Sequence, residues 1–121
     1  MSMAKILAVD DSPTVLTMVQ QALTMGGHTI VVANDGAEGL STFAANRFDL
    51  VITDINMPIM DGITLIKEIR KSNEEVPILT LTTENDESMK LKGSEAGATG
   101  WVVKPFQPAS FLAMVGEVLQ L

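Results

Sequence analysis

Hydrophobic residues along this chain follow two periodicities that alternate from the N-terminus to the C-terminus. Short runs dominated by apolar residues predict strands over 5–9, 29–33, 49–53, 77–81 and 98–103. Between these runs, apolar residues recur every three or four positions, which is typical of helices that bury one face. Five strands alternating with five helices predict an α/β domain whose parallel sheet is covered by helices on both sides. At 121 residues, the chain has room for one such domain, spanning 1–121.

Capping residues mark where the helices begin. Ser12 followed by Pro13 predicts the start of the first helix, and Asp61 can cap the third. The predicted core-facing residues are Val15, Met18, Val19, Ala22 and Leu23 in the first helix, Ala37, Leu40 and Ala44 with Phe43 beside them in the second, Leu65, Ile66 and Ile69 in the third, and Phe111, Leu112, Val115, Val118 and Leu119 in the last. The fourth helix, predicted over 84–97, is polar and contains Gly93, so we expect it to be the least stably packed.

Charge and composition exclude several classes of function. The chain has 15 acidic residues against 8 lysines and arginines, a formal charge of −7, so it lacks the positive field that binding to a nucleic-acid backbone requires. It contains no cysteine and a single histidine, which excludes disulfide scaffolds, thiol nucleophiles and thiolate metal sites. The first apolar run is too short for a signal peptide or a membrane span. We therefore expect a cytoplasmic protein without direct nucleic-acid or membrane partners.

Polar residues stand where the predicted strands end. Asp10 and Asp11 follow the first strand, Asp54 the third, Thr82 the fourth and Lys104 the fifth. In open α/β sheets, ligands bind at the carboxyl ends of the strands. Three carboxylates gathered there repel one another, and a hard cation such as Mg²⁺ suits oxygen ligands without histidine or cysteine. Lys104 would provide a second positive charge.

Each of these residues has an ordinary explanation when it is taken alone. Asp11 and Ser12 could simply cap a helix, Asp54 could end a strand, and Lys104 could be a solvated surface lysine. Their joint occurrence at one edge of one sheet favours a site for phosphoryl chemistry.

Four motifs in chain order give the sequence a family resemblance. VDDS at 9–12, TDINMPIMDG at 53–62, Thr82 and KPF at 104–106 resemble the receiver domain of bacterial two-component response regulators. Within that family, the chain is similar to the single-domain CheY type. The resemblance implies a flavodoxin-like, doubly wound sheet of five parallel strands in the order 2-1-3-4-5 with five helices. It also implies a signalling switch that catalyses only its own phosphorylation and dephosphorylation.

The resemblance assigns a role to each strand-end residue. Asp54 would accept a phosphoryl group, Thr82 would donate its hydroxyl to that group, and Lys104 would neutralise its oxygens. The residues implied to hold Mg²⁺ are Asp10, Asp11, Asp54 and the main-chain carbonyl of Asn56. Asn56 and Glu84 occupy positions that tune hydrolysis of the acyl phosphate, and because both are polar we expect comparatively fast dephosphorylation.

Two positions depart from the usual pattern of the family. Thr83 stands where a small alanine is common, which would narrow the approach to Asp54. Trp101 occupies the aromatic switch position, where the family usually has the smaller ring of tyrosine or phenylalanine. We expect a partial inward shift of the indole on activation.

Partners follow from the resemblance, and several alternatives stay open. The phosphodonor would be a CheA-like histidine kinase or a phosphotransfer protein, and the target a protein such as the flagellar motor switch. A phosphorelay shuttle and a receiver fragment of a larger regulator are alternatives, although the last helix ends at Leu121 with no linker behind it. A flavin-binding electron carrier is disfavoured because the first loop, which would have to bind the phosphate of the cofactor, carries two carboxylates that would repel it. A phosphatase is disfavoured because Asn56 replaces the acid/base aspartate, and an inactive binding module because the site is complete.

Overall fold

The computed structural model describes residues 4–82, 87–104 and 106–119. Strands and helices alternate along the chain, as the hydrophobic pattern predicts. The elements are β1 (Lys5–Val9), α1 (Pro13–Met25), β2 (Thr29–Ala33), α2 (Gly36–Ala45), β3 (Leu50–Asp54), α3 (Gly62–Ser72), β4 (Ile78–Thr82), α4 (Glu87–Ala96), β5 (Gly100–Val103) and α5 (Pro108–Leu119).

The strands form a single parallel sheet in the order β2-β1-β3-β4-β5. β1 lies between β2 and β3. Its last residue, Val9, pairs with Ala33 of β2 on one side and with Thr53 of β3 on the other. The predicted fold class and strand order are confirmed. This order places the carboxyl ends of β1 and β3 next to each other, at the switch in strand order where ligands bind in such sheets.

Alternate residues of the central strands feed two hydrophobic cores, one on each face of the sheet. Ile6 and Leu50 belong to the core covered by α1 and α5, whereas Leu7 and Val51 belong to the core covered by α2, α3 and α4. Each of these four side chains is completely buried. A strand with both faces covered needs apolar side chains at nearly every position, which explains the continuous apolar runs in the sequence.

Three strands begin later than the sequence pattern predicts. β3 and β4 are each displaced by one residue, and β5 begins at residue 100 instead of 98. Asp54 is the last residue of β3 and pairs with Leu81, whereas Asp49 lies before the strand, where its carboxylate accepts a hydrogen bond from the main-chain N–H of Lys5. Because an aspartate stands at each end of the apolar run, the sequence pattern could not show whether β3 includes Asp49 or Asp54. Residues 84–86 of the predicted fourth helix lie outside the described residues.

Two of the predicted helix faces are partly wrong. Met18 is exposed, and Leu16 is buried in α1 in its place. In α2, Ala37 and Ala44 are exposed, and the buried positions include Gly39, where a Cβ would lie 2.9 Å from a methyl carbon of Val9. α2 packs so closely on β1 that there is little room for a side chain at Gly39, so a glycine lies on the buried face of the helix. A hydrophobicity pattern does not reveal such a position.

Gly93 weakens α4, and we expect Gly93→Ala to raise the free energy of unfolding by about 0.5–1 kcal/mol. A Cβ there would meet atoms of Trp101, Ala98 and Ile63 at 3.6–3.9 Å, which is ordinary van der Waals contact. Urea unfolding measures the change. Gly97→Ala is the control, because Gly97 has φ +115° and a Cβ would lie 2.9 Å from Arg70, so this variant should be destabilised. Equal effects of the two substitutions would contradict the prediction.

Among the described residues, no helix is both long and apolar enough to span a membrane.

Candidate functional site

Asp10 stands directly after β1 and is held by the start of α1. Its main-chain N–H donates to the carbonyl of Ala33 at 3.2 Å, which continues the ladder with β2. Its Oδ1 accepts a hydrogen bond from the N–H of Ser12 at 2.9 Å. Ser12 in turn caps α1 by accepting from the N–H of Val15. Asp10 is 1% exposed, and its Oδ2 is left to pair with Lys104.

Asp54 ends β3 and is fixed by its neighbours on both sides. The hydroxyl of Thr53 donates to the main-chain oxygen of Asp54 at 2.9 Å. The N–H of Ile55 donates to Oδ1 of Asp54 at the same distance. Gly62, the first residue of α3, packs against the main-chain oxygen of Asp54 so closely that any Cβ would collide with it. Asp54 is therefore held with only 5% of its surface exposed.

Lys104 joins the two buried carboxylates. Its Nζ lies 3.1 Å from Oδ2 of Asp10 and 3.5 Å from Oδ1 of Asp54, and its side chain is 12% exposed. Asp11 is exposed, and its carboxylate completes a cluster in which one oxygen from each of Asp10, Asp11 and Asp54 lies within 4.8 Å of the others. The structure therefore brings together four of the strand-end residues that the sequence singled out. One ammonium group cannot balance three carboxylates.

Burial and the surrounding negative charge both raise the pKa of Asp54. Burial, followed by the negative charge of Asp10, raises the pKa of Asp54 from 3.8 to about 6. Lys104 and the N–H of Ile55 oppose the rise but do not cancel it. The carboxylate is thus energetically costly to ionise until further positive charge enters the site.

The three carboxylates suit a hard divalent cation. The cluster offers only oxygen ligands, which Mg²⁺ prefers over the nitrogen and sulfur ligands that transition metals select. A divalent cation would also remove the charge imbalance that Lys104 leaves. Asn56, whose main-chain carbonyl was predicted as a further ligand, follows Asp54 by two residues in an exposed part of the loop.

The remaining predicted residues are only partly described. Thr82 ends β4 and pairs with Val103, and its side chain lies outside the described part of the chain. Thr83 and Glu84 also lie outside the described residues. Trp101 is half-buried in β5, and its indole N–H is buried without an acceptor among the residues that the structure describes. Burying a hydrogen-bond donor without an acceptor costs free energy. A movement of the ring that gave this N–H an acceptor would therefore be favoured.

Three residues at the end of β3 and in the segment that follows it have features that the sequence did not predict. Thr53 and Gly62 position the backbone of Asp54, and Ile59 adopts a positive φ in the loop between β3 and α3. A threonine within a strand carries no distinctive sequence signal. Gly62 was interpreted as a turn residue, although its contact with Asp54 depends on how α3 returns to β3. The backbone angle of Ile59 is invisible in a hydrophobicity pattern.

Comparison with known proteins identifies the family. Residues 6–116 match the response regulator receiver domain. The chain therefore belongs to this family and is a receiver domain of a two-component response regulator, which confirms the resemblance found in its motifs.

Relatives of two kinds share this domain. The transcriptional regulatory protein PrrA of Mycobacterium tuberculosis is 35% identical over 116 residues, which are 96% of this chain and 50% of PrrA. The alkaline phosphatase synthesis transcriptional regulatory protein PhoP of Bacillus subtilis is 36% identical, over 96% of this chain and 48% of its own length. The chain thus spans about half the length of the curated relatives it matches. The solved structure of the chemotaxis response regulator CheY4 of Vibrio cholerae is 43% identical, with a TM-score of 0.92, over 97% of this chain and 99% of that one.

Proposed function

We propose that Asp54 accepts a phosphoryl group from a phosphohistidine and that the chain thereby switches the binding of a target protein. The observation that carries this proposal is the contact of Lys104 with both Asp10 and Asp54 at the switch point of the sheet. A carboxylate oxygen of Asp54 attacks phosphorus, the phosphorus–nitrogen bond breaks, and the imidazole of the donor keeps the electron pair. The protein itself mainly orients groups and balances charge in such transfers.

The neighbours of Asp54 divide the remaining work. Asp10, Asp11, Asp54 and the main-chain carbonyl of Asn56 would hold Mg²⁺, which when bound supplies positive charge for the carboxylates and the phosphoryl oxygens. Lys104 would shift its ammonium from the carboxylates to the transferred group. Thr82, at the end of the neighbouring strand β4, would donate its hydroxyl to the same group.

The signal would leave the site through β4 and β5. Thr82 is the last residue of β4, and Trp101 lies in β5, beside α4. We propose that phosphorylation draws the Thr82 hydroxyl toward Asp54 and that the indole of Trp101 shifts partly inward. Asn56 and Glu84 would admit water to the acyl phosphate, which makes the phosphorylated form short-lived.

A chemotaxis-type role is the finer part of the proposal. The likeness to CheY4, which extends over nearly the whole of both chains, supports it. The phosphodonor would then be a CheA-like histidine kinase or a phosphotransfer protein, and the target a flagellar motor switch protein, all in the cytoplasm. Loss of directed swimming in a deletion strain would support this role. The relatives PrrA and PhoP favour a second candidate, the receiver part of a transcriptional regulator, and altered transcription with normal swimming would support that candidate instead.

Asp54→Asn is expected to abolish phosphorylation. Incubation with acetyl phosphate and Mg²⁺ should add one phosphoryl group to the unsubstituted chain, measured by intact-protein mass spectrometry, because Asp54 is the carboxylate beside Lys104 that ends β3. The asparagine variant should gain none, since an amide is not a nucleophile. The chelator-treated chain should also gain none, because without Mg²⁺ the uncompensated carboxylates repel the donor. Asp61→Asn, a change at an exposed capping residue, is the control and should be phosphorylated normally. Phosphorylation of the Asp54→Asn variant would refute the assignment.

A further inference from the structure

Residues 12–34 contain no aspartate, glutamate, lysine or arginine, although 19% of the whole chain is charged. No other segment of the sequence is uncharged over so great a length. The segment includes α1 and β2, which pack against each other. We call the surface that residues 12–34 form the uncharged flank. The acidic residues of the chain are therefore confined to the rest of its surface.

β2 gives the uncharged flank an open sheet edge. Among the strands that the structure describes, β2 pairs with β1 alone. Thr29 is exposed, and the three residues that follow it are half-buried. Edge strands usually carry a lysine, a proline or a bulge that prevents pairing with another chain. β2 contains neither lysine nor proline, and its register with β1 is unbroken, so its open edge lacks these protections.

The hydrogen bonds at the two ends of β2 show which backbone groups face the open edge. The N–H of Thr29 donates to the carbonyl of the residue before β1 at 2.9 Å, and the carbonyl of Ala33 accepts from the residue after β1 at 3.2 Å. Backbone groups of successive strand residues point alternately to the two sides of the strand. The odd-numbered residues of β2 therefore face β1, whereas Ile30 and Val32 present their N–H and carbonyl groups to the open edge.

We propose that two copies of the chain pair through the open edges of β2, antiparallel to each other, around a two-fold axis at Val31. In this register, Ile30 of each copy lies opposite Val32 of the other, and every such pair exchanges both of its N–H and carbonyl hydrogen bonds. Val31 lies opposite its own counterpart. The sheets of the two copies thereby become one continuous sheet.

Charge favours a second copy as the partner at this edge. Each copy has a formal charge of −7, so two copies repel each other wherever their acidic surfaces meet. At the uncharged flank this repulsion is weakest, and no charged side chain of the flank has to lose its hydration. A strand paired antiparallel with itself is also self-complementary, because the two-fold axis places every free N–H opposite a free carbonyl. The half-buried side chains of β2 would lose further contact with water on pairing.

The proposed pairing leaves the candidate site accessible. β5 lies at the opposite edge of the sheet, and β1 separates β2 from the strand that carries Asp54. The inference therefore adds a contact between copies and does not depend on phosphoryl transfer.

A cysteine cross-link tests the register. The chain contains no cysteine, so Val31→Cys introduces a single thiol. Side chains opposite each other in a non-hydrogen-bonded antiparallel pair have Cβ atoms about 4.5 Å apart, which is within reach of a disulfide. Mild oxidation should convert Val31→Cys largely into a disulfide-linked dimer on a non-reducing gel. Val103→Cys is the matched control, because Val103 is a 38% exposed valine in the other edge strand, β5. It should stay largely monomeric, and equal yields from the two variants would overturn the inference.

Sedimentation equilibrium measures the strength of the self-association. Val32→Pro removes an N–H that faces the open edge, so it costs no hydrogen bond within one copy. It should raise Kd for self-association about 30-fold, because each of two symmetry-related hydrogen bonds is lost. Thr29→Lys, at an exposed position, should raise Kd about tenfold by placing a lysine on the edge, although it lowers the net charge. Thr64→Lys is the matched control, at an exposed position in α3, and should not raise Kd.

Circular dichroism checks that each variant is folded, and Thr29→Lys keeps the test decisive if Val32→Pro fails to fold. A monomer at every concentration, without a cross-link at Val31, would overturn the inference and leave the edge free for a strand of another protein. Self-association that survives in Thr29→Lys but is lost in Val103→Lys would place the contact at β5 and would overturn it as well. Equal weakening by Thr29→Lys and Thr64→Lys would show a general effect of charge and refute the pairing of β2.

Discussion

Gly62→Ala is expected to lower the free energy of unfolding by about 3 kcal/mol. A Cβ at this position would collide with the main-chain oxygen of Asp54 and lie 2.9 Å from the Cα of Ile55. Both obstacles are backbone atoms of a strand end, and the hydrogen bond from the N–H of Gly62 to the carbonyl of Ile55 prevents α3 from moving away freely. Urea unfolding measures the loss. The same variant should be phosphorylated more slowly, because relief of the collision moves Asp54 away from Lys104.

Gly116→Ala is the matched control for this substitution. Gly116 also lies within a helix, α5, but among the described residues a Cβ there would have no atom within 4 Å outside the backbone of its own helix. Alanine should therefore stabilise the protein by about 0.5–1 kcal/mol, because it reduces the conformational freedom of the unfolded chain. If Gly62→Ala and Gly116→Ala shift the unfolding midpoint in the same direction, the close packing of α3 on Asp54 has been wrongly inferred.

Asp54→Asn is expected to stabilise the metal-free protein at pH 7.5 by up to about 3 kcal/mol. The pKa of Asp54 is raised from 3.8 to about 6 in the folded state. The folded carboxyl group therefore binds its proton more tightly than the unfolded one does. Its ionisation lowers stability progressively as the pH rises from about 4 to about 6, and the loss is complete above that range. Asparagine has a similar shape and never ionises, so it removes the loss.

The pH dependence distinguishes this effect from a general change in packing. Thermal unfolding in the presence of a chelator should show a large gain for Asp54→Asn at pH 7.5 that shrinks steadily as the pH is lowered to 4. Glu74→Gln, at an exposed position between α3 and β4, is the control and should change stability by less than about 0.5 kcal/mol. Added Mg²⁺ should narrow the difference at pH 7.5, because it would bind the carboxylate and not the amide. A gain that is independent of pH would contradict the charge explanation.

The hydrophobic pattern was sufficient for the architecture because each class of element buries its side chains with its own period. Strands buried on both faces read as short apolar runs, and helices buried on one face read as three- and four-residue spacings. The pattern did not predict the exact ends of a strand where a polar residue could belong either to the strand or to the turn, as at Asp49 and Asp54. The pattern did not predict the buried face of a helix where the helix packs so closely on a strand that glycine stands in place of an apolar residue, as at Gly39.

The residue types of the candidate site could be predicted from the sequence alone, because carboxylates and a lysine placed after parallel strands must meet at one edge of the sheet. Only the tertiary structure determined how they meet. The distances from Lys104 to Asp10 and Asp54, the burial that raises the pKa of Asp54, and the backbone strain at Ile59 all depend on contacts between segments far apart in the chain. Periodicity reports what each segment buries, whereas distances, desolvation and backbone angles are set by the neighbours that the fold brings to it.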